Sequence, residues 1–565
     1  MTNHSRLKHG AYSLAFGALA LSFGSQALAQ STLFAIDGTA ANDRLGQDID
    51  SVGDYDGDGV LDFVVGAPQD GAIFGGGDGY ARIYSGVDGT ALATMTGGAG
   101  QEAFGTTVAG IGDLDGDGIQ EIAVGAPYFD GPGLQRGRVV IFDGLTRSVL
   151  FTFVGDLDGD RMGTIVAGVG DINNDGTPDL AASAFGSDVT SSNSGTVRVF
   201  SGFNGSTLHS FEGSGPNSHL GVSIIPVGDF DGDGFDDLCV GALIGPVEIY
   251  SGQTGGLLQS FPSPGANDAF GSGVAYLGDL TGDGTSEFLI GAPQNSVFSN
   301  AAGYARVLDG TTGATIVEFL GDVVGDEFGY SVESAGDFNG DGIVDYIVGA
   351  PASQDTGRLG YARVFSGANG AILKVFTAES GTSRLGFKLR LLGDINGDGT
   401  TEFAVAEPDS DTPGIRSGQL TVETGVAAIC PTPVNYCVSL PNTTGQVAAI
   451  SYTGTNFFTN NDLVLQASNC PPGQFGLFFY GPSRAFAVFG SGIRCVGGGL
   501  FRLQPALTID PAGFASRAID TSLMAGTSGA INAGDTWDFQ FWFRDPNDGN
   551  GLQNLTDGLE VIFCP

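Results

Sequence analysis

Basic residues are scarce in this chain. Lys and Arg number 22 against 63 Asp and Glu, a formal net charge of −41. Such a surface repels phosphate backbones and anionic headgroups, which argues against nucleic acid and anionic membrane as partners. Charged residues of both signs make up only 15% of the chain, whereas Gly alone accounts for 96 of 565 residues. That composition fits short strands joined by tight turns, not helices. Past residue 29 no apolar run is long enough to cross a bilayer as a helix. Past the same point there are two histidines, His209 and His219, and neither lies in a His-x-x-x-His or similar zinc pattern. A Gly-x-Ser-x-Gly nucleophile elbow is missing. The six cysteines lack CxxC spacing, so a zinc site has no support.

What the chain has in abundance is one acidic loop. Asp54-Tyr-Asp-Gly-Asp-Gly-Val-Leu-Asp62 recurs seven times, starting at Asp54, Asp113, Asp171, Asp229, Asp279, Asp337 and Asp394, at steps of 59, 58, 58, 50, 58 and 57 residues. Eight residues before each start stands the Gly of a hydrophobic-Gly pair, as in Leu45-Gly46, Phe104-Gly105 and Phe328-Gly329. Twelve residues after it comes Gly-Ala-Pro or a relic, from Gly66-Ala-Pro68 to Ser183-Ala-Phe185 and Ala406-Glu-Pro408. A frame held this strictly marks a repeat array.

Within each loop, oxygen-bearing side chains occupy positions 1, 3, 5 and 9. They are Asp54, Asp56, Asp58 and Asp62; Asp113, Asp115, Asp117 and Glu121; Asp171, Asn173, Asp175 and Asp179; Asp229, Asp231, Asp233 and Asp237; Asp279, Thr281, Asp283 and Glu287; Asp337, Asn339, Asp341 and Asp345; and Asp394, Asn396, Asp398 and Glu402. Position 7 varies freely (Val60, Ile119, Thr177, Phe235, Thr285, Ile343, Thr400), as expected of a residue that offers only its backbone carbonyl. Carboxylates this close repel unless a cation lies among them. A hard divalent ion taking about six to eight oxygens resolves the repulsion, and calcium tolerates irregular geometry better than magnesium. Up to seven calcium ions are therefore expected, the fifth loop, with Thr281, holding its ion most weakly. Solvated Asp-Gly turns are the alternative, but turn chemistry alone does not require an acid at position 9. Asp156-Leu-Asp-Gly-Asp160 imitates the loop but aligns with Gly321 to Gly329 in the repeat frame, so it reads as a connection and not an eighth site.

The order hydrophobic-Gly, Asp-x-Asp-Gly-Asp-Gly, Gly-Ala-Pro resembles the FG-GAP repeats of the integrin alpha-subunit propeller, over roughly Leu33 to Gly425. The resemblance implies a seven-bladed β-propeller with calcium between the first two strands of each blade. The integrin partner subunit and inserted ligand-binding domain have no counterpart in these residues.

Residues 1–29 read as a secretory signal, with Arg6 and Lys8 before an apolar stretch and Ala27-Leu-Ala29 as the cleavage site. Residues 30–425 then form the propeller. Leu33-Phe-Ala-Ile36 matches strands that come last in the internal repeats, while the final repeat stops at Leu420-Thr-Val422. The N-terminal strand is thus expected to complete blade seven and remove an open sheet edge. Residues 426–435 read as a linker and 436–565 as a small β-sandwich, from the alternation of Trp537, Phe539, Phe541 and Phe543 with Asp538, Gln540, Trp542 and Arg544. This region carries Cys430, Cys437, Cys470, Cys495 and Cys564. In an oxidising compartment two disulfides and one leftover thiol follow, with Cys437–Cys495 as the expected pair. Cys239 reads as a buried apolar thiol.

The expected binding surface is the face opposite the metal loops. Its connections vary in length and carry Phe74, Tyr128, Phe129, Phe185 and Phe298, with Arg44, Arg136, Arg161, Arg358, Arg384 and Arg416. Aromatic and Arg residues on loops suit recognition, or else the arginines pair with nearby acids. The leading expectation is a non-catalytic exported propeller that binds an extracellular protein or glycan in adhesion or recognition. A structural cell-surface or matrix component is the second. A polysaccharide lyase or hydrolase is the third, with Asp70, Asp130, Asp355, Asp409 and Asp411 as the loop carboxylates on offer. A carboxylate–Arg–Tyr cluster at the ring axis favours the enzyme and a broad shallow face the binder. Sequons at Asn204, Asn442 and Asn554 are possible glycan acceptors.

Overall fold

A computed structural model describes residues 32–69, 77–98, 102–265, 267–282, 284–294, 301–339, 341–352, 358–378, 380–381, 383–396, 400–424, 433–454, 461, 463–520, 530–531, 536–546 and 553–562. The signal segment, Asp70, Phe74, Asp283, Phe298, Asp355, Asp398, Cys430 and Cys564 lie outside the described residues.

Every regular element among them is a strand. Seven antiparallel four-stranded sheets are formed, the first strand of each lying at or just after a repeat glycine. In blade one the strands are Asp48–Gly53, Asp62–Ala67, Tyr80–Tyr84 and Ala91–Thr96. The second strand is buried along its whole length in every blade, and the fourth is largely exposed, as in Ile372–Thr377 of blade six. First strands therefore lie at the centre and fourth strands at the rim. Neighbouring first strands touch all the way round, and that of blade seven (Leu389–Gly393) meets that of blade one. The ring is closed: this is a seven-bladed propeller.

The fixed frame has a steric cause. The Gly of Gly-Ala-Pro and the Gly of the next hydrophobic-Gly pair meet between blades, and a side chain on Gly66 would press into the carbonyl of Gly105. Within a blade the two landmarks are joined as well, Gly46 N donating to Gly66 O at 3.1 Å and Gly105 N to Gly125 O at 3.0 Å, so an insertion between them would pull that contact apart. The cores also lie between blades. Phe63 and Tyr80 of blade one pack with Ala404 and Val422 of blade seven and with Ile36. Burying a Phe such as Phe63 contributes about 2–3 kcal/mol.

The N-terminal strand, Thr32–Asp37, pairs antiparallel with Gln419–Glu423 as the outer strand of blade seven, with Ile36 opposite Leu420. Ring closure thus uses both ends of the repeat array, as the sequence suggests.

After the ring comes a domain with a different construction. One sheet contains Val434–Tyr436, Gly558–Ile562, Thr536–Arg544, Phe475–Gly481 and Phe501–Arg502; a second contains Ala449–Thr453, Val464–Ser468 and Ala515–Ala518. Their facing side chains, including Phe478, Phe539, Phe541, Ile450 and Leu465, form one core. This is the expected sandwich, although its first strand begins inside the stretch read as a linker. The alternate residues of Thr536–Arg544 are covered too. Gln540 is fully buried and bonds Ile493 O, Thr556 O and Cys495 N, all at 2.7–2.9 Å, so the hairpin Ser483–Phe489/Gly492–Gly497 lies across that face. The Cys437–Cys495 disulfide fastens this hairpin to the end of the first strand. Cys239 and Cys470 are buried free thiols. No helix among the described residues is long and apolar enough to cross a membrane.

Candidate metal loops and the opposite face

Each acidic loop joins the first two strands of its blade. Its glycines answer to backbone conformation and not to crowding: Gly57 and Gly59 have φ of 79° and 93°, and nothing lies within 4 Å of where a Cβ would stand. Position four of the third loop is Asn174, which adopts the same left-handed region (φ 58°) that Asn tolerates. Position one closes the turn. Asp54 accepts from Gly57 N at 2.8 Å and Gly59 N at 2.9 Å. The position-six N–H bonds position one again at Asp113, Asp171, Asp229, Asp279 and Asp337.

Position nine has a role the sequence does not reveal. Asp62, Glu121, Asp179, Asp237, Glu287, Asp345 and Glu402 are all buried, at 0–1% exposure. In the first loop Asp62 accepts from Tyr55 N at 2.8 Å with one oxygen and from Gly86 N, at the end of the third strand, at 2.9 Å with the other. Equivalent bonds to the post-strand glycine join Gly144 to Glu121, Gly202 to Asp179, Gly252 to Asp237 and Gly367 to Asp345. The acid at position nine therefore ties the loop to the third strand. Burial pushes Asp62 and Asp237 up, Glu121 and Asp345 to about 7 and Asp179 to about 6, against the pull of their backbone N–H partners.

The donors converge in three loops among the described residues. Ligand atoms lie within 4.8 Å of one another for Asp113, Asp115, Asp117 and Glu121; for Asp54, Asp56 and Asp58; and for Asp229, Asp231 and Asp237. Asp62 and Asp233 stand outside their clusters. The third and sixth loops keep their residues in order without such convergence, and the fifth and seventh each have a ligand position outside the described residues. Oxygen-only donors of high negative charge fit a hard divalent cation. The imitation loop holds none of these roles: Asp156 pairs with Arg198, Asp158 with Arg136 at 3.0 Å, and Asp160 caps Leu157 N.

On the opposite face the arginines are engaged. Arg44 and Arg416 both grip Asp409, at 3.0 and 2.9 Å, and Asp409 is 1% exposed. It is a buried ion-pair centre and not the solvated loop carboxylate expected of a catalytic candidate. Arg358 pairs with Asp326 at 3.5 Å and Arg384 with Glu327 at 3.3 Å. Arg161 bonds Gln135 and lies over the Tyr128 ring, Arg138 covers Phe129, and Phe185 stacks on His219. Asp130 and Asp411 accept backbone N–H bonds from Gln135 and Arg416. Loop composition reads the same for a free and an engaged arginine, so the sequence leaves both open. A second motif escaped notice. Tyr80, Tyr304 and Tyr361 open the third strands of their blades, donate to Asp43, Asp268 and Asp326, and lie beneath Arg82, Arg306 and Arg363. The Tyr-Ala-Arg triplet was the available signal. Open grooves of about 410 Å³ beside Tyr304 and 530 Å³ beside Asp130 and Asp158 are shallow.

The axis is asymmetric. On the inner strands Lys388 pairs with Asp48 at 2.7 Å, and Arg390 reaches Asp50 at 2.5 Å and Glu333 at 3.6 Å. These residues belong to blades six, seven and one. The equivalent positions in blades two to five are Thr107, Ala109, Ile165, Ala167, Ser223, Ile225, Gly273 and Ala275.

Of the sequons, Asn204 is exposed, whereas Asn442 and Asn554 are buried and donate to Asn469 O and Pro441 O. Only Asn204 presents its amide to solvent.

A ring of blades, each with an acidic loop between its first two strands and interlocked by paired glycines, defines the class, and the comparisons agree. The FG-GAP repeat matches residues 49–84, 104–142 and 328–364, and an FG-GAP-like repeat matches 229–290. The chain thus carries FG-GAP repeats in a propeller that is similar to integrin alpha chains. It is 32% identical to integrin alpha-5 of Xenopus laevis over 34% of this chain and 19% of that protein. Integrin alpha-V of Gallus gallus gives 30% over the same shares, and integrin alpha-6 of Gallus gallus 33% over 29% of this chain and 15% of that protein. The chain thus matches only about a fifth of the length of these relatives.

Proposed function

We propose that the protein is exported, with its signal cleaved after Ala29, and that it is a calcium-stabilised, non-catalytic propeller binding a protein or glycan outside the cell or at its surface. The convergence of Asp113, Asp115, Asp117 and Glu121 carries the calcium reading. These residues would hold the ion, with Asp54, Asp56 and Asp58 and with Asp229, Asp231 and Asp237 in two further loops. The cation would neutralise the loop carboxylates and brace the turn between the first two strands. Calcium titrated into chelator-stripped protein should bind with measurable heat and raise the melting temperature. An unchanged melt overturns the calcium reading.

The likeness to integrin alpha chains and the shallow grooves of the opposite face support recognition as the role. A polysaccharide-acting enzyme is the second reading, favoured by one observation: carboxylates and Arg390 do cluster at the axis. Incubating the mature chain with polysaccharides in millimolar calcium while monitoring product release separates the two. Retention without products supports the binder, and products support the enzyme.

A further inference from the structure

We infer that two copies of this chain join through the sandwich, along the open strand Ser483–Phe489 of its hairpin. The inference goes beyond the recognition reading and does not depend on it. Three observations combine.

The first is an apolar face left bare. The hairpin packs on the sandwich through Val496, beside Phe479 and Leu555. On its outer side Phe486 is 72% exposed and Val488 83%, with Ile493 half-buried opposite Val488. A bulge between Arg484 and Ala487 carries Phe486, and such bulges re-aim a side chain. Near the tip Phe489 is 41% exposed. Val438, next to the cysteine bonded to Cys495, is 61% exposed. Single exposed apolar residues are ordinary. Three on one short hairpin and a fourth beside it form a patch on the order of 400 Å², the size at which such patches tend to have a partner.

The second is an open edge. Ser483–Phe489 pairs with Gly492–Gly497 on one side, and among the described residues no strand pairs with its other side. An edge of this kind offers backbone N–H and C=O groups as a template for one more strand.

The third is the local charge. From Leu463 to Ile509 there is no Asp or Glu, in a chain that has 63 of them. Arg484 is already spent, lying over the Tyr436 ring and pairing with Glu560 at 2.7 Å. The patch is therefore close to neutral.

These properties select the occupant. A bilayer would cover the apolar side chains but leave the strand edge without hydrogen-bond partners in hydrocarbon. A strongly charged partner finds nothing to answer it. What fits is a neutral, apolar strand with an open edge of its own, and Ser483–Phe489 of a second copy is such a strand. Laid antiparallel about a two-fold axis at Phe486, the strand sets Phe486 against its own equivalent and Arg484 against Val488 of the second copy, so no like charges face each other. Elsewhere two copies repel, because residues 30–424 carry 15 bases against 54 acids. Two facing patches and the paired edges together remove about 1,000 Å², the low end for a specific interface, so the dimer is weak.

The test is sedimentation velocity of the mature full chain in 5 mM calcium, up to 200 µM protein, at low and high salt. The wild type should pass from monomer to dimer with a midpoint on the order of 10–50 µM, and more readily at high salt, which screens the rings. Phe486→Asp and Phe486→Lys should each weaken association at least tenfold with melts unchanged, since each variant meets its own charge on the axis. An equimolar mixture of the two should associate again. Leu134→Asp, in a groove of the ring, should behave like the wild type. A wild type that stays monomeric at 200 µM overturns the proposal, as does a dimer that survives both Phe486 variants or weakens with salt. A mixture that stays monomeric overturns the two-fold register. If the Phe486 variants melt early, Val488→Lys decides in their place: it sets a second positive charge against Arg484 of the other copy, and a dimer that survives it overturns the site.

Discussion

The ring and the sandwich solve the same problem with opposite means. Residues 30–424 carry 15 bases against 54 acids, whereas residues 425–565 carry 5 against 9. In the ring, the acids are structural parts: each position-nine carboxylate is buried and tied to backbone N–H groups, and the acids at positions one, three and five crowd into exposed loops. In the sandwich, one core dense in Phe and the Cys437–Cys495 disulfide do the corresponding work. The contrast teaches that negative charge on this protein is not a coating. It is concentrated where backbone turns need acceptors and where a cation can answer it, and it thins where apolar packing suffices.

The strongest way to break that contrast is chelation. At ten times the dissociation constant each occupied site adds about 1.4 kcal/mol, so several sites together approach roughly 10 kcal/mol. Scanning calorimetry in chelator should therefore lower the ring's transition by many degrees and leave the sandwich's in place. Transitions that move together would merge the two regions into one cooperative unit. Next in size is Cys437→Ser, which should remove about 2–4 kcal/mol from the sandwich alone. A ring transition that shifts with it would show coupling between the regions.

A finer pair of substitutions dissects the acids. Asp62→Asn sets an amide donor against two backbone donors and should cost about 1–3 kcal/mol with or without calcium. Asp58→Asn should cost stability in calcium and almost none in chelator. Equal calcium dependence for both would assign position nine to the cation alone. The smallest effect belongs to Lys388→Met. Its partner Asp48 keeps its bonds from Thr107 Oγ1 and Val108 N, so the loss should stay below about 1 kcal/mol; a larger drop in the ring's melt would make this ion pair a clasp of the seam between blades seven and one.

Much of this molecule is legible in its sequence because the repeat multiplies every signal. The two landmarks of each blade are bonded to one another across its first two strands and must keep their spacing, so the blade count, the strand order and the closing role of Leu33 to Ile36 follow from the frame. The acidic loops are legible for the same reason. What remained hidden is carried by residues that come together only in the folded ring. Asp409 reads as one more loop acid until Arg44, from the other end of the array, lies beside it. Glu333, Arg390 and Asp50 are unremarkable charges on alternating strands, and only closure makes them neighbours. The anchoring role of Asp62 was hidden differently. A buried acceptor of backbone N–H groups and a metal ligand call for the same residue type, so composition cannot separate them.

The outer strand of blade seven comes from the start of the chain. Thr32 bonds Glu423 across 391 positions. A ribosome or a translocation channel delivers Thr32 long before its partner. While the ring is being made, Leu33 to Ile36 must therefore wait as an unpaired β-segment beside six complete blades. Contacts this distant in sequence slow folding, so the ring's final closure is timed by the delivery of Gln419–Glu423. A chain interrupted before Gln419 would have its blades but no lock. The same geometry offers a place to cut: joining the termini of the ring and opening it between two blades should relieve the wait and let closure proceed from neighbours in sequence.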